Sequence, residues 1–337
     1  MKKSHLWRWS VLAAGLAVAM SVTSANAEPR VVRLATQYGI SYLPLTIMSE
    51  KKLLEQEGKK LGLDLSTEWI RFTGGPPMNE ALISGNLDFA SGGVSPMVTI
   101  WARTQSNLKV KGICAINSMP LYLNTINPNV KTIKDFTEKD RIALPAVRVS
   151  MQAVILQMAA EKVFGKGEEH KLDQWTVSLS HPDGLAQMMS GKSEITGHFT
   201  SAPFMYMELA DSRIHRVLNS YDVFGSPHTF NVVWASAKLY EGEPKVVEAF
   251  LNAMKIAMKD INDDPAGAAA LWVKADKSKL TAADAEKIIR DKENKWTMVP
   301  EQVMVVADYM SRVKMIPVAP KSWKDMFIDA VHGLPGS

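Results

Sequence analysis

One order of elements occurs twice in this chain, and that recurrence limits the folds open to it. Residues 31–35 form a short β-rich run, a loop follows to Tyr42, and a helical stretch is expected from about 44 to 57. Residues 65–72 read as a second strand. Met78, Ala81 and Leu82 then fall on one helical face before Gly85, where a helix would stop. Residues 87–90 make a third strand that runs into Gly92, Gly93, Ser95 and Pro96. The order returns from Arg141. A strand at 141–144 is followed by a helix with Met151, Val154, Ile155, Met158 and Ala159 on one stripe, then by a strand at 175–179. Leu185, Met188 and Met189 precede Gly191, and a strand at 194–199 ends near Ser201 and Pro203. The Ser84-Gly85 pair matches Ser190-Gly191 at an offset of 106, Ser95 matches Ser201 at the same offset, and Ser41 matches Ser150 at 109.

Strands separated by helices predict mostly parallel sheets with helices on their faces, here as two α/β lobes on one plan. The chain is expected to leave the first lobe after a strand at 110–116 and to return along 229–234. That divides it into residues 28–122, 123–225 and 226–337, the last returning to lobe 1 and adding C-terminal helices. Val246, Val247, Phe250, Leu251 and Met254 mark one of those helices, and Val303, Val306, Tyr309 and Met310 another.

In open parallel sheets ligands bind beyond the carboxyl ends of the strands, where loops enter helix N-termini with free N–H groups and partial positive charge. Ser41, Ser95, Ser150 and Ser201 lie in such loops, two from each lobe. Each serves either as a cap of its own helix or as a donor to a ligand. Convergence of the four loops on one cleft would suit an anionic or strongly polar solute.

The N-terminus carries an export pattern: Lys2, Lys3 and Arg8, an apolar run at 11–20, and Ala25-Asn26-Ala27. A run of that length falls short of the roughly 20 residues a membrane span needs. Cleavage after Ala27 and release into the periplasm are therefore expected. Losing the three leader cations lowers the formal charge from +4 to about +1, too little for a polyphosphate-binding surface, so no nucleic-acid partner is expected. Cys114 is the sole cysteine, which excludes an internal disulfide and a cysteine-rich metal site.

Several segments resemble one family. Tyr42-Leu43-Pro44, Asn79-Glu80-Ala81-Leu82-Ile83-Ser84-Gly85-Asn86-Leu87-Asp88-Phe89-Ala90, Gly93-Val94-Ser95-Pro96, Ile133-Lys134-Asp135-Phe136, Arg141-Ile142-Ala143-Leu144-Pro145 and Asn231-Val232-Val233-Trp234-Ala235-Ser236 occur in an order and spacing similar to the nitrate/sulfonate/taurine-type substrate-binding proteins of ABC importers, a family that also includes binders of thiamine-pyrimidine precursors. The resemblance implies a two-lobed (type II) periplasmic-binding fold with the ligand cleft between the lobes. It implies ligand contacts at Tyr42, in the loops 92–95 and 147–150, and near 198–200. Arg148 would either grip a carboxylate or sulfonate or stand as a solvated loop arginine; His198 and His228 would either donate hydrogen bonds in the cleft or serve as satisfied structural histidines; and Tyr42, Phe199 and Trp234 would either wall an apolar part of the ligand or pack in the core. The expected candidate set is thus Ser41, Tyr42, Gly93, Ser95, Arg148, Ser150, His198, Phe199, Ser201 and Trp234. The Thr73–Pro77 loop departs from the commoner family pattern.

Enzymatic readings find little support. His-Glu-x-x-His and Gly-x-Ser-x-Gly patterns are missing from the sequence, and Ser190-Gly191-Lys192-Ser193 lacks the earlier glycine of a phosphate loop because residue 186 is Ala186. No catalytic residue, cofactor or metal is expected. The chain reads as a monomeric transport receptor that captures a small, anionic organic solute and docks in its closed form on a membrane permease. A ligand-sensing module that signals to a membrane sensor is the alternative, and an unrecognised hydrolase a more distant one.

Overall fold

In the computed structural model, which describes residues 28–337, the chain opens with strand β1 (Arg30–Thr36), followed by helices α1 (Leu43–Glu50) and α2 (Leu53–Lys60). The leader and the expected cleavage point after Ala27 lie outside the described residues. The single helix expected over 44–57 is broken in two because Lys52 adopts a left-handed conformation, φ 51°. Strand β2 (Leu65–Arg71) pairs parallel to β1 along its full length. Helix α3 (Gly75–Ile83), strand β3 (Ala90–Gly93), helix α4 (Val94–Arg103) and strand β4 (Lys111–Ala115) complete the first passage.

The chain then crosses to strand β5 (Tyr122–Thr125) and runs through β6 (Ile142–Leu144), α5 (Met151–Phe164), β7 (Thr176–Ser178), α6 (His181–Ser190), β8 (Gly197–Thr200), α7 (Phe204–Leu209), β9 (His215–Asn219) and α8 (Ser220–Phe224). It returns as β10 (Asn231–Ala235). The remainder is helical: α9 (Ala237–Tyr240), α10 (Pro244–Asp263), α11 (Pro265–Asp276), α12 (Ala282–Ile289), α13 (Val303–Arg312) and α14 (Trp323–Met326).

The two lobes share one strand plan. The second sheet has the order β7-β6-β8-β5-β9. In the first lobe β1 pairs β2, β10 lies between β3 and β4, and a parallel bridge from Leu34 to Phe89 links the two groups. The lobe-1 order is thus β2-β1-β3-β10-β4, the same arrangement position for position. In each sheet the antiparallel strand inserted beside the third is the one that arrives from the other lobe: β10 beside β3, β5 beside β8. The recurrence at an offset of 106 is therefore a repeat of topology. Gly85 and Gly191 end α3 and α6 in left-handed conformation, φ 75° and 63°. The Ser190-Gly191 pair is a helix stop, as expected.

The long amphipathic helix α10 packs on α1 and α2 and stacks Phe250 on Phe89, ring centroids 4.4 Å apart, so the C-terminal helices close over lobe 1. Cys114 is buried in β4 and free; burial pushes its thiol far above the usual range. No helix among the described residues is long and apolar enough to cross a membrane.

Candidate functional site between the lobes

Four helices begin at one small cavity between the lobes. Lobe 1 supplies Gly75, the first residue of α3, and Gly93, the cap of α4, with Pro96 one turn on. Lobe 2 supplies Ser150, Met151 and Gln152 from the start of α5, and His181, the first residue of α6. These helices run 9, 10, 14 and 10 residues, long enough to carry a terminal dipole. Gln37, Tyr38, Tyr42 and Phe230 complete the lobe-1 wall, and Pro145 and Ser201 the lobe-2 wall. Among the described residues none lining the cavity is Lys, Arg, Asp or Glu.

The cavity is nearly shut. Its volume is about 20 Å³, close to what a single water requires. Contacts between lobes hold it closed. Ser95 Oγ donates to Val149 O at 3.1 Å, and Gly74 lies under Pro145 O. Gly39 has φ 112°, and a Cβ there would stand 2.7 Å from Ala202 O, so only glycine serves at that point.

The crossing segments hold the lobe-1 loop in place. Asn117 Nδ2 donates to Ser41 O at 2.6 Å, and Asn231 N donates to Asn117 Oδ1 at 3.1 Å. Asn231 Nδ2 donates to the Tyr42 hydroxyl at 3.0 Å. That hydroxyl keeps its own proton for another partner, and burial holds it far above the normal phenol range. On the far side Ser150 Oγ caps α5 by accepting from Ala153 N at 3.3 Å. Two buried hydroxyls, Ser41 Oγ and Ser201 Oγ, have no hydrogen-bond partner. Such orphans in a buried place are expensive unless something satisfies them.

Of the candidate residues read from sequence, Tyr42, Gly93, Ser150 and Ser201 line the cavity. Ser41 is buried directly beside it in the chain, and Ser95 spends its hydroxyl on the lobe contact. Phe199 and Trp234 are fully buried in the core, where Trp234 Nε1 donates to Asn79 Oδ1 at 3.1 Å. His198 lies behind the cavity wall, paired with Glu208. Arg148 faces the surface. Its backbone is left-handed (φ 65°) and its side chain is 73% exposed, with Nε 3.8 Å from Asp173 Oδ2. His228 is buried against Ser220 and Thr229. Sequence reasoning missed Gln37, Gln152 and His181. Uncharged or isolated polar residues in helix starts give no pattern signal, and only the SHPDG-type capping start at Ser180 could have drawn attention to His181.

A larger groove of about 630 Å³ runs along α10 between Lys111, Tyr240, Leu251 and Ile328. It is built from lobe 1 alone and is open, so it lacks the enclosure of the cleft.

No family model and no curated relative matches this chain. Solved structures do. The alkanesulfonate-binding protein SsuA from Xanthomonas axonopodis pv. citri, bound to MOPS, superposes with a TM-score of 0.68 at 17% identity, over 87% of this chain and 96% of that one. The periplasmic aliphatic sulphonate binding protein SsuA from Escherichia coli gives 0.64 at 17% identity, over 88% and 99%. The periplasmic nitrate-binding protein NrtA from Synechocystis PCC 6803 gives 0.68 at 14% identity, over 86% and 83%. The fold is that of the periplasmic binding proteins.

Proposed function

We propose that this chain is the substrate-binding component of an ABC-type importer, exported to the periplasm, where it closes two lobes over a small anionic organic solute such as a sulfonate or carboxylate. The division into 28–122 with 226–337, and 123–225, follows from the same reading. The observation that carries it is the cavity at which α3 and α4 of one lobe meet α5 and α6 of the other. Aligned dipoles at four helix starts favour negative charge without a formal cation. This reading places anion recognition on neutral donors, Ser201 Oγ and the Tyr42 hydroxyl among them, and leaves Arg148 outside it. A cavity of about 20 Å³ admits no organic solute, so the lobes must separate to load. Closure then derives its free energy from contacts made to both lobes at once. The closed, ligand-bearing monomer would be what a membrane permease recognises.

A thermal-shift screen of residues 28–337 against sulfonates, carboxylates, nitrate, taurine and pyrimidines tests this. A solute at a thousandfold excess over its Kd adds about 4 kcal/mol of stability, and the compound should be recovered unchanged. Turnover of a compound, or stabilisation by cations alone, would overturn the reading.

A further inference from the structure

The lobe-2 wall of the cavity is the exposed end of a buried polar chain. Gln152 Nε2 lies 3.2 Å from His181 Nε2. His181 Nδ1 lies 3.2 Å from His198 Nε2 and 3.0 Å from Thr200 Oγ1. His198 Nδ1 lies 2.5 Å from Glu208 Oε1, and Asn124 Nδ2 donates to Glu208 Oε2 at 2.9 Å. His198 and Glu208 are completely buried, Gln152 and His181 nearly so. The helix is shaped around this chain: a Cβ at Gly184 would fall 2.6 Å from His198 Nε2, so no other residue at this place in α6 admits the ring.

Given Glu208 as a carboxylate and a single ring hydrogen on each histidine, the direction of every bond follows from the far end. A carboxylate only accepts, so His198 Nδ1 carries the hydrogen that meets Glu208. His198 then offers Nε2 as an acceptor, which requires the hydrogen of His181 to sit on Nδ1. His181 Nε2 is left as an acceptor. It faces the NH₂ group of Gln152, the one arrangement that satisfies both. With its nitrogen engaged, the Gln152 amide has its carbonyl oxygen left for the cavity it lines.

We infer that Gln152 is the specificity-determining side chain of lobe 2: the Glu208–His198–His181 chain locks its amide with the carbonyl oxygen toward the cavity, so the solute must meet it with an N–H or O–H donor. This rests on the cavity being the ligand site, as proposed above. The favoured solute is then an acid that also carries an amino or hydroxyl group, its anionic end on the helix starts and Ser201, its donor on Gln152. One added proton on His181 would turn Nε2 into a donor and drive the amide to flip, exchanging the group shown to the ligand. The groups packed against His181 oppose or permit this as follows. His198 of β8 and Glu208 of α7 are titratable, and Asp183 of its own helix is held by Ser180. From α5 comes uncharged Gln152, and β6 contributes only Ile142, Ala143 and Leu144. Burial, with His198 beside it, holds His181 well below the ordinary imidazole range.

Nitrogen NMR of the ligand-free chain labelled with ¹⁵N-histidine decides the relay without any ligand, whatever becomes of the transport reading. Both His181 and His198 should be neutral Nδ1–H tautomers at pH 7.5, and Glu208→Gln, whose amide can donate as well as accept, should break that uniformity. An Nε2–H tautomer or an imidazolium at His181 would overturn the inference. Calorimetry with taurine and ethanesulfonate as probes then reads the cavity. The donor-bearing taurine should bind at least tenfold tighter, and Gln152→Leu or, as a second variant, Gln152→Met should abolish the difference. Equal affinities in the native chain would overturn the assignment. Binding of neither probe would overturn the sulfonate class of the preceding proposal, and the relay would stand or fall on the tautomers alone.

Discussion

Gly93 and Met151 meet across the cleft so closely that a Cβ on Gly93 would stand 2.7 Å from Met151 Cβ. One is the cap of α4 in lobe 1, the other the first residue of α5 in lobe 2. The start of each helix can approach the other only because one of them lacks a side chain, and the cavity is shut by that approach.

Gly93→Ala should therefore hold the lobes apart without disturbing either. Its backbone is extended, φ −63° and ψ 160°, which alanine accepts. Small-angle scattering should show a larger radius of gyration than the parent, and ligand affinity should fall more than tenfold. An unchanged radius and affinity would mean that the contact does not limit closure.

Ser201→Ala and Arg148→Ala should separate the two views of how an anion is held. Ser201 Oγ is buried, unpartnered and on the cavity wall; losing a hydrogen bond to a charged ligand there costs about 1.5–3 kcal/mol, tenfold or more in Kd. Arg148 is exposed and turned toward Asp173, and its removal should change Kd by less than threefold. Titration calorimetry of both variants with the ligand from the screen checks this, and the reverse ranking would return the anion to Arg148.

Acid should unfold the protein through its buried histidines. His228 stacks on Phe224 at 4.0 Å and is buried, which pulls its pKa down to about 4. His181 is also depressed, by burial first and His198 second. A depressed histidine binds its proton in the unfolded chain before the folded one. Stability is therefore whole above about pH 6.5 and declines as pH falls, for His228 until about pH 4. Each such histidine contributes about 1.4 kcal/mol per pH unit in that window. Urea denaturation at pH 7.5 and 5.5 should show a loss on the order of 2–3 kcal/mol, and His228→Gln should reduce it. A flat profile between those pH values would contradict the burial of these rings.

Asn117→Ala should loosen the junction of the two crossings. The side chain donates to Ser41 O and Asn231 Oδ1 and accepts from Asn231 N, all in the interior. Stranding those groups costs about 1–3 kcal/mol. Denaturant midpoints should fall accordingly while the far-ultraviolet dichroism stays unchanged; a stability within 0.5 kcal/mol (the ordinary scatter of a surface change) would show that the junction is not under load.

Local side-chain patterns carry most of the elements and their repeat. Apolar periodicity in α5, the glycine stops at Gly85 and Gly191, and the strands at 31–35, 65–72 and 141–144 are local properties, written in side chains a few residues apart. From these the two matching lobes could be read, but of the four helix starts expected to converge only those of α4 and α5, behind Ser95 and Ser150, reach the cavity, and α3 and α6 supply the others. Strand β5 (Tyr122–Thr125) goes beyond the expected crossing, because its partners, β8 and β9, lie more than 70 residues on and leave no local trace. Which side chains face the cleft is a matter of long-range packing. Arg148, Phe199 and Trp234 carry the chemistry of binding residues, yet one turns outward on a left-handed backbone and two fill the core. Gln152 sits at the wall without any sequence mark, and His181 with none beyond the capping start at Ser180. Facing is set by how one lobe rotates onto the other, and that rotation depends on contacts such as Gly93 with Met151 that join residues far apart in the chain.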